Sequence, residues 1–387
     1  MQFPMFASMN KVLLIISIFL SCLLLISFKS NDWIDSDDLT IDSLRKVYSQ
    51  PSKYWPEANV DKGVVFDELS ALQNSPIDLS IDSIRKVVEL GKLLFFDTRL
   101  SGSNQISCAT CHNPALNWAD GKAVSLGHEQ LPNIRNAPSL ENVWVYNSFF
   151  WDGRAKTLVE QAEGPISAHN EMDQDIKSLV KKLNKIKGYR AYFYAAFGSS
   201  KITNRRIFES LATFQQTIVS RESNFDKFLK GNDQALTDQQ LTGLHLFRTK
   251  ARCMNCHHGA YFTDKDFHNI GLTAYGTENE DLGLYNFTKK PEDVGKFKTP
   301  GLRNVMQTGP WFHQGSVTSI DSLMVLYNMG MPEHVVLPHQ KDDPLVPKND
   351  KLVRGIMLNV RERKAIIAFL EALSSPPVLM KVERFPK

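Results

Sequence analysis

The chain has 387 residues, 42% of them hydrophobic and 22% charged, with 45 basic against 42 acidic side chains. That length allows two or three domains and a sizeable core, and the composition excludes a disordered, collagenous or polytopic membrane protein. A formal net charge of only +3 leaves no electrostatic footprint for nucleic acid.

The first feature along the chain is an uncharged apolar run at residues 12–28, preceded by Lys11. It reads as a signal peptide or signal anchor within residues 1–30, so the remainder of the chain is exported. Residues 31–85 are polar and broken by Pro51, Pro56 and Pro76. They predict two short helices, capped by Thr40 and Ser80, and carry no legible function.

All four cysteines beyond the leader fall in two identical patterns, Cys108-Ala-Thr-Cys111-His112 and Cys253-Met-Asn-Cys256-His257. On one helical turn the two sulfurs and the imidazole share a face. The thiols can then form thioethers with the vinyl groups of a haem while the histidine ligates its iron. A structural zinc site needs four ligands together, and these motifs lie 145 residues apart. A thioredoxin-like redox pair gives no reason for the histidine to appear twice. Two covalent c-type haems are therefore expected, with His112 and His257 as proximal ligands.

Between and beyond the motifs the periodicity is helical. Ile176, Leu179, Val180, Leu183 and Ile186 form one stripe, and Ile207, Leu211, Phe214 and Ile218 another, opened by Thr203 as a cap. Thr237 and Gln240 make a capping box for a helix running into the second motif, and residues 361–373 form a last amphipathic helix before Pro376 and Pro377. Strand-like alternation is scarcely visible, and long loops at 113–139 and 264–310 have the length to wrap a prosthetic group. The expected fold is all-α: two cytochrome c-like domains, 86–233 and 234–377, each with one haem, after an N-terminal extension at 31–85.

Several segments carry a resemblance to a known family: Leu93-Leu-Phe-Phe-Asp-Thr-Arg-Leu-Ser101, Arg135-Asn-Ala-Pro-Ser139, Phe150-Trp-Asp-Gly-Arg154, Gln161-Ala-Glu-Gly-Pro165, Glu171-Met172, Pro300-Gly-Leu-Arg-Asn304 and Pro310-Trp-Phe-His-Gln-Gly315. In this order around two haem motifs, over about residues 86–375, the chain resembles the bacterial dihaem cytochrome c peroxidase/MauG family. The resemblance implies a peroxidatic haem at the first motif and an electron-transfer haem at the second. It makes Gln161 and Glu171 the amide and carboxylate over the peroxidatic iron, His128 a releasable sixth ligand of that iron, and Trp151 the residue between the haems. It assigns Asn136, Thr308 and Pro310 to a calcium ion, the last two through backbone oxygens. The peroxidases place an axial methionine fourteen residues after the position of His313; here that place is Tyr327, the MauG pattern, with Met329, or Met331 further on, as the alternative. The implied function is periplasmic reduction of hydrogen peroxide to water by a homodimer, with electrons from a small cytochrome c-type donor entering at the second haem. The alternatives are a MauG-like oxidase that modifies a partner protein, which Tyr327 favours, and a dihaem electron carrier, which the Gln161/Glu171 pair disfavours.

Overall fold

The computed structural model describes residues 40–382 and 384–387, so the apolar run at 12–28 lies outside the described residues. The elements in chain order are α1 (Ile41–Tyr48), α2 (Asp82–Phe96), α3 (Cys108–Cys111), α4 (Leu158–Ser167), α5 (Ile176–Asn184), α6 (Tyr189–Phe197), α7 (Asn204–Gln215), α8 (Asn224–Leu229), α9 (Asp238–Arg248), α10 (Tyr285–Thr288), α11 (Ile320–Met329) and α12 (Val360–Ala372). A minimal antiparallel pair, β1 (Phe267–Asn269) and β2 (Lys296–Lys298), sets His268 opposite Phe297. Among the described residues no helix is long and apolar enough to cross a membrane.

Local signals account for most helix starts. The Thr203 side chain accepts from Arg206 N to open α7, and Thr237 and Gln240 form the capping box of α9. Asn359 and Glu362 do the same for α12. The Ser80 cap is a correction: α2 starts after Ile81 without a side-chain cap, because the Ser80 hydroxyl and N–H both turn back to Asp78.

Two helical groups surround the two motifs. In the first, α2 packs across α7, with α4 and α6 alongside; Leu90, Leu94, Phe95, Ile207, Leu211 and Phe214 are buried at its centre. In the second, α9 packs across α12. The crossings are built alike. A Cβ on Gly91 would stand 1.9 Å from Ser210 O, and one on Gly243 would stand 1.9 Å from Ala365 O. One turn further on, Phe95 meets Phe214 and Phe247 meets Phe369, each with ring centroids 5.3 Å apart.

This duplication continues through the loops. Asn142 and Asn304 both adopt positive φ. Asn142 exchanges side-chain hydrogen bonds with Ser220, and Asn304 with Ser375. Tight turns bridge Phe149 to Ala155 and Trp311 to Val317, and each leads into a hydroxyl-capped helix, Thr157 for α4 and Ser319 for α11.

The extension is a strap on the second half. Arg45 pairs with Asp238, the Tyr48 hydroxyl bonds His245 Nδ1, Asp61 bridges Arg252 and Arg354, and Glu68 pairs with Arg248. The other end of the chain returns to the first half, where Met380 and Val382 pack on its core and Lys387 O accepts from Gly188 N.

Candidate functional site

The first motif forms α3 itself, so Cys108, Cys111 and His112 emerge together from one turn. His112 Nδ1 bonds Trp118 O at 3.1 Å, and His257 Nδ1 bonds Phe262 O at 2.8 Å. Fixing Nδ1 in this way selects the tautomer and leaves Nε2 of each ring for a metal. Burial lowers both imidazole pKa values and keeps the neutral, ligating form. All four thiols are free rather than disulfide-bonded. These residues fit two c-type haems.

A cavity of about 580 Å³ is lined by Cys111 and His112 and by Cys253, Cys256 and His257, so both motifs open into one space. Trp151 and His313 line it too. Trp151 Nε1 donates to Asn136 O at 2.9 Å, while Trp151 O accepts from Lys298 N. The first bond fixes the indole within its own half, and the second ties the Trp151 backbone to the other half. Asn136, Thr308 and Pro310, the residues assigned to calcium, line the same cavity. The Asn136 amide nitrogen is engaged by the carbonyls of Lys122 and Ala123.

Beside the first motif, a pocket lined by Cys108, Cys111 and His112 also receives Gln161, Pro165 and Glu171. Gln161 and Pro165 project from α4, whose start is fixed by Thr157. Glu171 follows in the loop beyond. Burial raises the Glu171 pKa, opposed by a side-chain hydrogen bond from Asn133 and by the charge of Arg154. Asn133 and Asn170 line this pocket as well. Neither is visible from the sequence, because a loop asparagine carries no periodic or spacing signal.

His128 is not among the residues lining that pocket. Its backbone N–H bonds Glu171 O at 2.8 Å, but its ring points to Asp173, with Nε2 3.3 Å from Oδ2. At the second motif, Tyr327 of α11 lines the shared cavity, and burial pushes its hydroxyl pKa up, with Cys256 and Cys253 near enough to contribute. Met329 does not line the cavity; its side chain is 76% exposed on the opposite side of α11. Met331 is buried but also lies off the cavity. The structure thus brings Tyr327, and neither methionine alternative, to the space beside Cys253, Cys256 and His257.

Comparison with known proteins agrees with this architecture. Residues 85–234 match the family described as di-haem cytochrome c peroxidase. The chain is 36% identical to the methylamine utilization protein MauG of Methylophilus methylotrophus, over 81% of this chain and 89% of the relative. It is 38% identical to the cytochrome c551 peroxidase of Nitrosomonas europaea, over 61% of this chain and 70% of that protein. Among solved structures, a MauG-like protein associated with microbial copper homeostasis superposes with a TM-score of 0.67 at 28% identity, covering 83% of this chain and 94% of that one. The diheme peroxidase BthA of Burkholderia thailandensis shares the fold, with a TM-score of 0.63 at 24% identity, covering 82% and 92%.

Proposed function

Since the chain belongs to the di-haem cytochrome c peroxidase/MauG family, we propose that it reduces hydrogen peroxide at the pocket of the first motif. Electrons enter through the second, from a small cytochrome c-type donor in the periplasm. The observation that carries this reading is the convergence of Gln161 and Glu171 on the pocket holding Cys108, Cys111 and His112. The halves 86–233 and 234–377 each hold one haem, bound by the two cysteines and the histidine of its motif. When bound, the haems supply the two electrons that peroxide reduction requires.

The protein's own groups handle the protons. Hydrogen peroxide, two electrons and two protons become two waters, and one proton must move between the peroxide oxygens as their bond breaks. The Glu171 carboxylate takes the proton from one oxygen and returns it to the other. Burial raises its pKa above that of an ordinary carboxylate, which favours its return of the proton, while the Asn133 hydrogen bond aims it. The Gln161 amide orients the peroxide. With the His128 ring turned to Asp173, the pocket is left to the substrate. Trp151 couples the two halves, and Asn136, Thr308 and Pro310 are the residues that would hold a calcium ion.

A second reading has one specific observation behind it. Tyr327 stands beside the second motif where the peroxidases place methionine, and phenolate oxygen favours oxidised iron. In that reading the electrons come from a side chain of a partner protein, as in a MauG-like oxidase. The test is peroxide-dependent oxidation of reduced small cytochrome c by the two-haem protein and by Glu171→Gln. Turnover in the wild type that collapses in the variant supports the peroxidase. Peroxide consumption without cytochrome oxidation transfers the assignment to a protein substrate. No peroxide consumption in any redox state removes both.

A further inference from the structure

Between Ile176 and Arg206 the chain has nine basic residues and no acidic one. A segment of +9 in a chain of +3 leaves −6 for everything else. The near-balance of the whole molecule thus conceals a strongly basic stretch in the first half, over α5, α6 and the start of α7.

α5 sorts its residues by side. Leu179 and Leu183 are buried, and Ile176, Val180 and Ile186 pack against the core of the first half. Lys177, Lys181 and Lys185 recur every fourth residue on the opposite side, all exposed. Lys187 and Arg190 carry the exposed series into α6, and Lys201 adds a sixth cation before α7. Among the described residues, none of these six forms an ion pair. The other three basic side chains are engaged: Lys182 with Ser101 O and Gln174, Arg205 with Glu209, Arg206 with the carbonyls of Ser199 and Lys201. Asp175, directly before α5, caps it by accepting from Lys177 N. Exposed aromatic rings stand among the cations. Tyr194 of α6 is 64% exposed and Tyr192 is exposed as well. Phe385, also exposed, is held nearby because Lys387 O accepts from Gly188 N in the turn between α5 and α6.

We propose that this face of the first half, carried by α5 and the turn into α6, binds the anionic headgroups of a phospholipid membrane. Several observations select a membrane over an acidic protein. Five of the six unpaired cations are lysine, which protein–protein interfaces deplete while they enrich arginine. Long lysine stems interleaved with aromatic rings suit the boundary between headgroups and acyl chains. The face lies on the half that does not take up electrons, so it is not where the small donor docks; this point rests on the peroxidase reading. The apolar run at 12–28, a signal or an anchor by sequence, brings the chain to a membrane during export in either case.

The experiment is co-sedimentation of the full-length two-haem protein with mixed phosphatidylglycerol/phosphatidylcholine vesicles and with phosphatidylcholine vesicles alone. An apolar run partitions into both, so the difference between them reads the basic face. Each lysine near an anionic surface is worth about fivefold in partitioning. The triple variant Lys177→Gln, Lys181→Gln, Lys185→Gln should therefore bind the anionic vesicles roughly a hundredfold more weakly and the neutral ones as before. Glutamine suits a helix as well as lysine does, and an unchanged melting temperature verifies the fold. A second triple variant, Lys341→Gln, Lys348→Gln, Lys351→Gln, loses the same charge from exposed sites in the second half and should bind like the wild type. Raising salt from about 0.1 M to about 1 M should abolish the preference for anionic vesicles. A wild type without that preference overturns the proposal and leaves the lysines to an acidic protein or to solvent. Equal losses in the two triple variants overturn it too, because net charge and not this face would then govern binding. Peroxide turnover is not measured, so failure of the face and failure of the peroxidase reading are separate results.

Discussion

Pro165 and Tyr327 occupy the same position in the duplicated fold. Each lies fourteen residues beyond an equivalent residue of the bridged turn, Trp151 in the first half and His313 in the second. Both project from the helix after that turn, Pro165 into the pocket of the first motif and Tyr327 into the cavity at the second. Proline offers no donor atom to a metal, whereas tyrosine offers a phenol oxygen. At equivalent places the fold thus presents a side chain without a donor atom beside the first motif and one with a donor atom beside the second.

Exchange of Tyr327 for methionine tests that asymmetry. Tyrosinate stabilises the oxidised metal and thioether the reduced one, and axial ligands move haem potentials over about 0.8 V. Tyr327→Met should raise the potential of the second haem by on the order of 100 mV or more, read by spectroelectrochemistry, and leave the first haem's potential nearly fixed. An unchanged pair of potentials would take Tyr327 off the metal.

The acid–base role of Glu171 predicts a pH profile. Its folded pKa is raised by burial, so the carboxylate that accepts the first proton forms at higher pH than an ordinary carboxylate does. The value of kcat/KM therefore climbs with pH through that raised pKa. Asn133→Ala removes a hydrogen bond that favours the charged form, and the rising limb should move to higher pH. Glu171→Gln should abolish the limb and lower kcat/KM by about 10²–10⁴-fold. A steady-state profile of the three proteins checks this; identical limbs in wild type and Asn133→Ala would contradict it.

Much of this arrangement is legible in the amino-acid sequence. Thr203 and Thr237 announce their helices, and the two C-x-x-C-H motifs declare the haems. The duplication is not legible, because equivalent residues are separated by 145 positions at the cysteines but 162 at Trp151 and His313. Loops of unequal length destroy any fixed period. Tyr327 and Met329 both sit at reasonable spacing, and it is the helix face that separates them: one side chain lines the cavity and the other meets solvent. The strap escapes sequence reading for a different reason. Its charges look like a solvated segment until Glu68 and Asp61 find Arg248 and Arg252, some 180 to 191 residues away.

The paired glycine crossings carry a stability prediction. At Gly91 and Gly243 the obstructing atom is a backbone carbonyl, Ser210 O or Ala365 O, which cannot rotate away. Gly91→Ala and Gly243→Ala should each destabilise by about 1–3 kcal/mol, the usual range for overpacking, despite alanine's better helix propensity. Denaturant unfolding of the two-haem proteins measures this. A cost near zero at either site would mean that the helices separate without penalty.

The strap predicts an electrostatic effect on the second haem. Asp61 pairs with both Arg252, which immediately precedes Cys253, and Arg354, and offsets one of their two positive charges; both arginines line the cavity. Their pairing also holds the Asp61 carboxyl pKa below the usual range. Asp61→Asn leaves two positive charges uncompensated beside a group that gains negative charge on reduction. The potential of the second haem should then rise by about 1 kcal/mol equivalent, roughly 40 mV for a one-electron couple, and the shift should shrink at high ionic strength. The first haem, on the other motif, should keep its potential. A fall in the second haem's potential, or an equal shift in both, would show that the strap acts through general loosening of the fold instead of through these charges.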